Sequence, residues 1–184
     1  MQYKILLTKE EIKEKVNKTA EEIVKYLKEN EIRELTIMPI MNGSIFYAID
    51  LMRQISRKII ETKTICNLQI ETLRIKSYEN NSNVNTKLIC NDIDSINITD
   101  KNILIVDDVF DTGNTFKWLI DKLIDKNANI ILCAVFIDKT CNHKPQYTPD
   151  FVSYTLNENK FLVGYGMDDN GYCREWEDLW YIVD

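Results

Sequence analysis

The sequence predicts an α/β fold, a doubly wound, mostly parallel sheet with helices on both faces. Three observations lead there. Apolar runs rich in branched residues stand at 35–40, 102–106 and 129–137, too short for helices and without alternation, as expected of strands buried on both faces. Stretches with apolar residues at helical spacing separate them. The two kinds of segment alternate along the chain, the order that a parallel sheet with crossover helices requires, and such sheets take ligands beyond the carboxyl ends of their strands. With 184 residues the chain is read as one domain, 1–184, long enough to bury roughly 70% of its unfolded surface.

Each element has its own signal. Thr8 followed by Glu11 makes a capping box, and Ile12, Val16, Ala20, Ile23, Val24 and Leu27 then recur at helical spacing, so a first helix runs to about Asn30. The run 35–40 is the first buried strand. Met41, Asn42, Gly43 and Ser44 turn the chain into a second helix, from Ile45 to about Ser56. Residues 65–75 read as one further strand. The polar segment 76–87 has no periodicity and no apolar anchor beyond Tyr78 and Val84, and reads as a mobile loop. NILIV at 102–106 is a central strand, and Phe116, Leu119, Ile120, Leu123 and Ile124 form the stripe of the next helix, which Thr115 opens. A further buried strand occupies 129–137. After Pro149 the tail is strand-like and aromatic, with Phe151, Tyr154, Phe161, Tyr165, Tyr172, Trp176, Trp180 and Tyr181.

Charge and cysteine usage exclude several classes. The 23 Lys and Arg against 29 Asp and Glu give a net charge of −6, which argues against a protein that wraps nucleic acid, because phosphate binding draws on a surplus of Lys and Arg. The five cysteines, Cys66, Cys90, Cys133, Cys141 and Cys173, are odd in number and scattered, the pattern of free thiols in a reducing compartment. One histidine, His143, is too little for a structural zinc site, and a Ser-His-Asp or Cys-His mechanism would hang on it alone. The N-terminal MQYKILLTKEEIKEK has no signal-peptide core, and no run approaches the roughly 18 apolar residues of a membrane span. The expected setting is cytoplasmic, with no membrane and no nucleic acid as partner.

Chemistry concentrates between the strand at 102–106 and the following helix, where Asp107, Asp108, Val109, Phe110, Asp111, Thr112, Gly113, Asn114 and Thr115 stand in a row. Thr112, Gly113, Asn114 and Thr115 can turn backbone N–H groups toward an anion, and the helix dipole adds favourable potential for phosphate. Helix capping explains one threonine and one aspartate. It leaves unexplained three acids within five residues, whose mutual repulsion costs stability unless a cation or a hydroxyl-rich ligand relieves it.

The segment VDDVFDTGNT, 106–115, resembles the phosphoribosyl pyrophosphate motif of the type I phosphoribosyltransferases. The third acid, Asp111, is similar to the hypoxanthine-guanine branch, whereas the adenine and orotate enzymes and the pyrimidine-operon attenuator proteins usually carry other residues there. Met41-Asn42-Gly43, Lys76-Ser77-Tyr78, Lys139, the run KFLVGYGMD at 160–168 and Arg174 match in the expected order, so the resemblance covers almost the whole chain. It implies the fold of that family, with a small hood built from the terminal segments. It further implies purine salvage: hypoxanthine and/or guanine and phosphoribosyl pyrophosphate are converted to IMP or GMP and pyrophosphate, with magnesium as cofactor, by a homodimer or homotetramer.

The same resemblance assigns roles. Asp107 and Asp108 hold the ribose hydroxyls directly or through magnesium, where their field stabilises an oxocarbenium-like centre. Asp111 takes the proton from the purine imidazole ring as general base. Thr112, Gly113, Asn114 and Thr115 grip the 5′-phosphate. Lys139 bonds the purine 6-oxo group, a contact that favours hypoxanthine or guanine over adenine because an ammonium cannot accept from an amine. Phe161 stacks on the purine and Leu162 offers backbone groups to its edge; taken alone, Phe161 reads as a core aromatic. Asp168 binds a second magnesium and Arg174 clamps pyrophosphate. Asn42 and Gly43 belong to the pyrophosphate loop, where the family commonly has a non-proline cis peptide, and many relatives have lysine where Asn42 stands. Ser77 and Tyr78 open a lid that excludes water before pyrophosphate leaves. A xanthine-preferring enzyme and an RNA-binding regulator on the same fold are the alternatives, with Asp111, Lys139 and the charge of −6 against the second.

Overall fold

The computed structural model describes residues 2–78, 87–90, 93–140, 145 and 147–183. Along the chain run β1 (Gln2–Leu7), α1 (Lys9–Glu29), β2 (Glu34–Met41), α2 (Ile45–Glu61), β3 (Asn67–Ile70), β4 (Leu73–Arg74), β5 (Lys76–Tyr78), β6 (Lys87–Ile89), β7 (Asn102–Phe110), α3 (Asn114–Asp125), β8 (Ile130–Asp138), β9 (Phe151–Thr155), β10 (Leu162–Val163) and β11 (Leu179–Val183). The main sheet has the order β3-β2-β7-β8-β9, with β4 beside β2, and each of these pairs is parallel.

Strand alternation divides the core between two helical layers. Leu35 and Ile37 of β2, Leu104 and Val106 of β7 and Leu132, Ala134 and Phe136 of β8 pack with the buried faces of α1 and α2. Met38, Ile40, Ile103, Ile105, Cys133 and Val135 face Phe116, Leu119 and Leu123 of α3. Helices therefore cover both faces, as the unbroken apolar runs imply. The capping box holds: Thr8 Oγ1 accepts from Glu11 N and the Glu11 carboxylate accepts from Thr8 N. A largely buried hydroxyl network joins the α1 and α2 layer to the sheet, with Tyr47 Oη donating to Val135 O at 3.3 Å and Ser153 Oγ lying 2.8 Å from Thr19 Oγ1 and 2.9 Å from Tyr47 Oη.

Three local expectations are corrected. The strand read at 65–75 is two short strands separated at Glu71 and Thr72, and Ile65 lies outside both and is exposed; β3 is a mostly exposed edge strand, and β4, though Leu73 is fully buried, is only two residues long. The second helix extends to Glu61 rather than Ser56. The central strand continues through Phe110, and α3 opens at Asn114 with Gly113, not Thr115, at its N-terminal boundary.

The hood is a separate antiparallel sheet of order β1-β11-β10, formed by the two ends of the chain as the resemblance implies. The two ends of the segment read as a loop at 76–87 are strand instead: β5 and β6 pair antiparallel, with Ser77 opposite Leu88. The central part of the expected lid, 79–86, lies outside the described residues, as do Cys141 and His143. Cys66, Cys90, Cys133 and Cys173 are free thiols. No helix among the described residues is long and apolar enough to cross a membrane.

Candidate active site

Strand β7 delivers the carboxylates. Its alternation sends Asp107 and Asp108 to opposite faces, so the two neighbours in sequence meet different surroundings. Asp107 is buried and accepts a hydrogen bond from Asp108 N at 3.0 Å. Burial, then the negative charge of Asp108, hold its carboxyl well above the usual carboxylate range. Asp108 is half-buried and packs against Gly43 so closely that a Cβ at Gly43 would collide with its carboxylate. The loop carrying Gly43 begins with a cis Met41–Asn42 peptide bond, the feature expected at this point. Asn42 is exposed beside it.

Beyond β7 the chain bends. Asp111 and Thr112 are exposed, and Gly113 takes φ +79° with its Cα over the Phe110 ring. α3 then starts without a side-chain cap: Thr112 Oγ1 approaches Asn114 N only at 3.4 Å. The first-turn N–H groups of a helix have no intrahelical acceptor, and here they point out of an uncapped end beside the acid-rich bend.

Lys139 follows β8, its amide donating to Phe110 O at 2.8 Å, while the Asp138 carboxylate accepts from Thr140 N at 2.9 Å and fixes the turn. Lys139 Nζ donates to Lys160 O at 3.0 Å, which sets the ammonium next to Phe161 and Leu162. A cleft of ≈ 200 Å³ is lined by Asp108, Val109, Lys139, Phe161, Leu162, Met167 and Asp168. Phe161 is 57% exposed, so its reading as a core aromatic is corrected; Leu162 is buried and paired with Tyr181. A larger groove of ≈ 640 Å³ runs along α1 and α2 beside Trp176, but no residue of the acid-rich bend lines it.

Asp168 and Arg174 meet each other. Arg174 Nη2 lies 2.6 Å from Asp168 Oδ1, Arg174 Nη1 donates to Gly166 O at 2.6 Å, and Asp168 Oδ2 accepts from Gly171 N at 2.7 Å. Of the residues expected at the site, Asp108, Lys139, Phe161, Leu162 and Asp168 share one cleft; Asp107, Asp111, the run of Thr112, Gly113, Asn114 and Thr115 at the start of α3, and Asn42, Gly43 and Arg174 lie outside its lining. Val109 and Met167 line the cleft without having been singled out, and as apolar residues inside a strand and a turn they carry no sequence signal for it. Ser77 and Tyr78 are placed by backbone pairing alone.

The donor set bears on a metal. No cluster of three or more potential metal-binding side chains occurs among the described residues. Asp108 and Asp168, which line one cleft, nonetheless suit a hard cation that takes one or two carboxylates and completes its shell with oxygens of a substrate, the habit of magnesium; Asp107 is buried on the other face of β7. The crowding of Asp107 against Asp108 is the electrostatic strain that such a cation would relieve.

The phosphoribosyl transferase domain family matches residues 2–170. A hypoxanthine-guanine phosphoribosyltransferase of Aquifex aeolicus is 31% identical over 182 residues, covering 98% of this chain and 95% of the relative. One of Streptococcus pyogenes is 29% identical, with 97% and 91% covered. A solved Trypanosoma cruzi hypoxanthine phosphoribosyl transferase superposes with a TM-score of 0.84 at 23% identity over 98% of this chain and 91% of that one, a likeness of fold.

Proposed function

The chain belongs to the phosphoribosyl transferase domain family, and from that premise we propose that it salvages purines, converting hypoxanthine and/or guanine with phosphoribosyl pyrophosphate to IMP or GMP and pyrophosphate. The observation that carries the reading is the cleft at the carboxyl edge of the sheet, where a carboxylate for the sugar, Asp108, stands within one cavity of an ammonium and an exposed aromatic suited to an oxopurine, Lys139 and Phe161.

In this reading the purine stacks on Phe161, and Lys139, held next to it by its bond to Lys160 O, donates to the 6-oxo oxygen. Leu162 meets the purine edge through its backbone. The 5′-phosphate lies on Thr112, Gly113, Asn114 and Thr115 at the uncapped start of α3. Asp111, beyond the strand end, accepts the imidazole proton as the new bond to the anomeric carbon forms. Asp107 and Asp108 lower the energy of positive charge building on the ribose. Asn42, Gly43 and Arg174 hold pyrophosphate, with Arg174 kept beside Asp168 by their ion pair. Magnesium, held by Asp107, Asp108 or Asp168 together with substrate oxygens, supplies charge neutralisation when bound. Ser77 and Tyr78 begin a lid. The free thiols support a cytoplasmic setting, and the resemblance supports a homodimer or homotetramer.

Steady-state rates with hypoxanthine, guanine, xanthine, adenine and uracil, each with phosphoribosyl pyrophosphate and magnesium, test the reading. Turnover of hypoxanthine or guanine supports it. Preference for xanthine moves the substrate within the purines, and turnover of adenine or uracil alone refutes the branch. RNA captured on a filter, without turnover of any base, would make the protein a regulator.

A further inference from the structure

Asp50 and Tyr165 meet at the junction of α2 with the turn that carries Asp168, and neither takes part in the chemistry above. Tyr165 Oη donates to Asp50 Oδ2 at 2.9 Å across 115 residues of sequence. The Tyr165 ring is buried, 5.0 Å centre to centre from Phe136 and 6.5 Å from Phe46. Burial, and then the charge of Asp50, raise the phenol pKa, so the hydroxyl stays a donor at any working pH.

The backbone around Tyr165 is held in an uncommon shape. Tyr165 itself has φ +49° and Gly166 φ +102°, and a Cβ at Gly166 would run into Gly43 O. The turn is thus pressed, backbone to backbone, on the loop that carries Asn42 and Gly43. The same glycine is tied to Arg174 twice: Gly166 N donates to Arg174 O at 2.9 Å, and Gly166 O accepts from the guanidinium. Arg174 in turn holds Asp168. Displacing Tyr165 therefore displaces Gly166, and with it the three groups that bear on pyrophosphate: Gly43, Arg174 and Asp168.

We propose that Asp50 and Tyr165 are positioning residues, a clasp that seats the 164–168 turn against the 41–43 loop and so sets the pyrophosphate half of the site. The proposal rests on the functional reading above. β10 is secured by its pairing with β11, so Phe161 and Leu162 lean on the clasp less than the pyrophosphate groups do, although Met167 and Asp168 of the turn line the same cleft. A structural staple would act on both halves of the site alike; a clasp acts mainly on one.

The test compares Tyr165→Phe, Asp50→Leu, Asp50→Asn and the Tyr165→Phe/Asp50→Leu double variant by kinetics, thermal unfolding and calorimetric titration with phosphoribosyl pyrophosphate and magnesium. Tyr165→Phe is expected to raise KM and Kd for phosphoribosyl pyrophosphate about tenfold, the scale of one hydrogen bond to a charged group, with the purine KM and Tm close to wild type. The double variant should be no worse than the single ones, and Asp50→Asn, which keeps an oxygen acceptor, should restore most of the affinity. Unchanged constants, equal rises for both substrates, or lost activity that merely follows a fall in Tm would overturn the clasp. If wild type binds phosphoribosyl pyrophosphate but transfers to no purine, while Tyr165→Phe still weakens that binding, the functional reading fails and the clasp stands. Turnover by wild type with an unchanged Kd in the variant gives the reverse, and a wild type that binds no phosphoribosyl pyrophosphate removes both.

Discussion

Asp107 is a carboxyl group under two opposing demands. Its place at the end of a central strand buries it next to Asp108, and both circumstances disfavour its ionised form. A carboxyl whose folded pKa exceeds its unfolded value, 3.8, stabilises the fold most below that value and loses the contribution as pH rises through the folded one. Asp107→Asn keeps the acceptor for Asp108 N and abolishes the titration. The variant is therefore expected to melt above the substrate-free wild type at neutral pH, by a margin that shrinks on acidification; parallel Tm curves across the acid and neutral range would refute this. Asp111 differs, being exposed beyond the strand end, where a base can pass a proton to solvent. If it is the general base, Asp111→Asn lowers kcat about 10²–10⁴-fold while Kd for phosphoribosyl pyrophosphate by titration changes little. Near-normal turnover would assign the proton elsewhere.

At the scale of elements, the β7–α3 junction depends on one left-handed residue. Gly113 has φ +79°, and a Cβ there would stand 3.0 Å from Phe110 Cζ. Gly113→Ala is expected to cost about 1–2 kcal/mol in urea unfolding, the penalty of the left-handed region for a residue with a Cβ. Because the same substitution shifts the uncapped helix start, it should also weaken phosphate binding, measurable by titration with ribose 5-phosphate; wild-type stability and affinity together would show that the junction tolerates another conformation. What was legible in the sequence follows from burial. β2, β7 and β8 are covered on both faces, so continuous apolar runs disclose them, and the acid-rich bend is a local motif. The break between β3 and β4 was not legible, because edge strands carry exposed residues such as Ile70 and no sustained pattern. Nor could a row of letters show that alternation parts Asp107 from Asp108, or that Arg174 lies on Asp168. The Asp50–Tyr165 bond joins residues 115 positions apart and exists only once the sheet has brought α2 beneath the hood.

At the scale of the whole molecule the candidate cleft draws on both the parallel sheet and the hood, and in the hood sheet β11 lies between β1 and β10. β10, which carries Leu162 beside Phe161, has two residues and is held by β11; β11 is held on its other edge by β1. Tyr3 extends this closure toward the site: its hydroxyl donates to Asp169 Oδ2 at 2.9 Å, adjacent to Asp168, and its ring meets Trp176 edge-on at 5.2 Å. The exposed pair of Lys9 and Glu177 adds little by comparison, since water screens both charges. A two-residue strand has almost no stability of its own, so the purine face is only as ordered as the strands behind it. Removing residues 1–7 leaves the Thr8–Glu11 capping box and the parallel strand pairing in place but opens one edge of β11 and takes away the Tyr3–Asp169 bond and the buried Leu7. The purine KM should then rise about fivefold or more, corresponding to roughly 1 kcal/mol of lost ordering, while Kd for phosphoribosyl pyrophosphate and the far-ultraviolet circular dichroism stay near wild type. Equal losses for both substrates, or collapse of the helical signal, would mean that β1 supports the central domain rather than the hood.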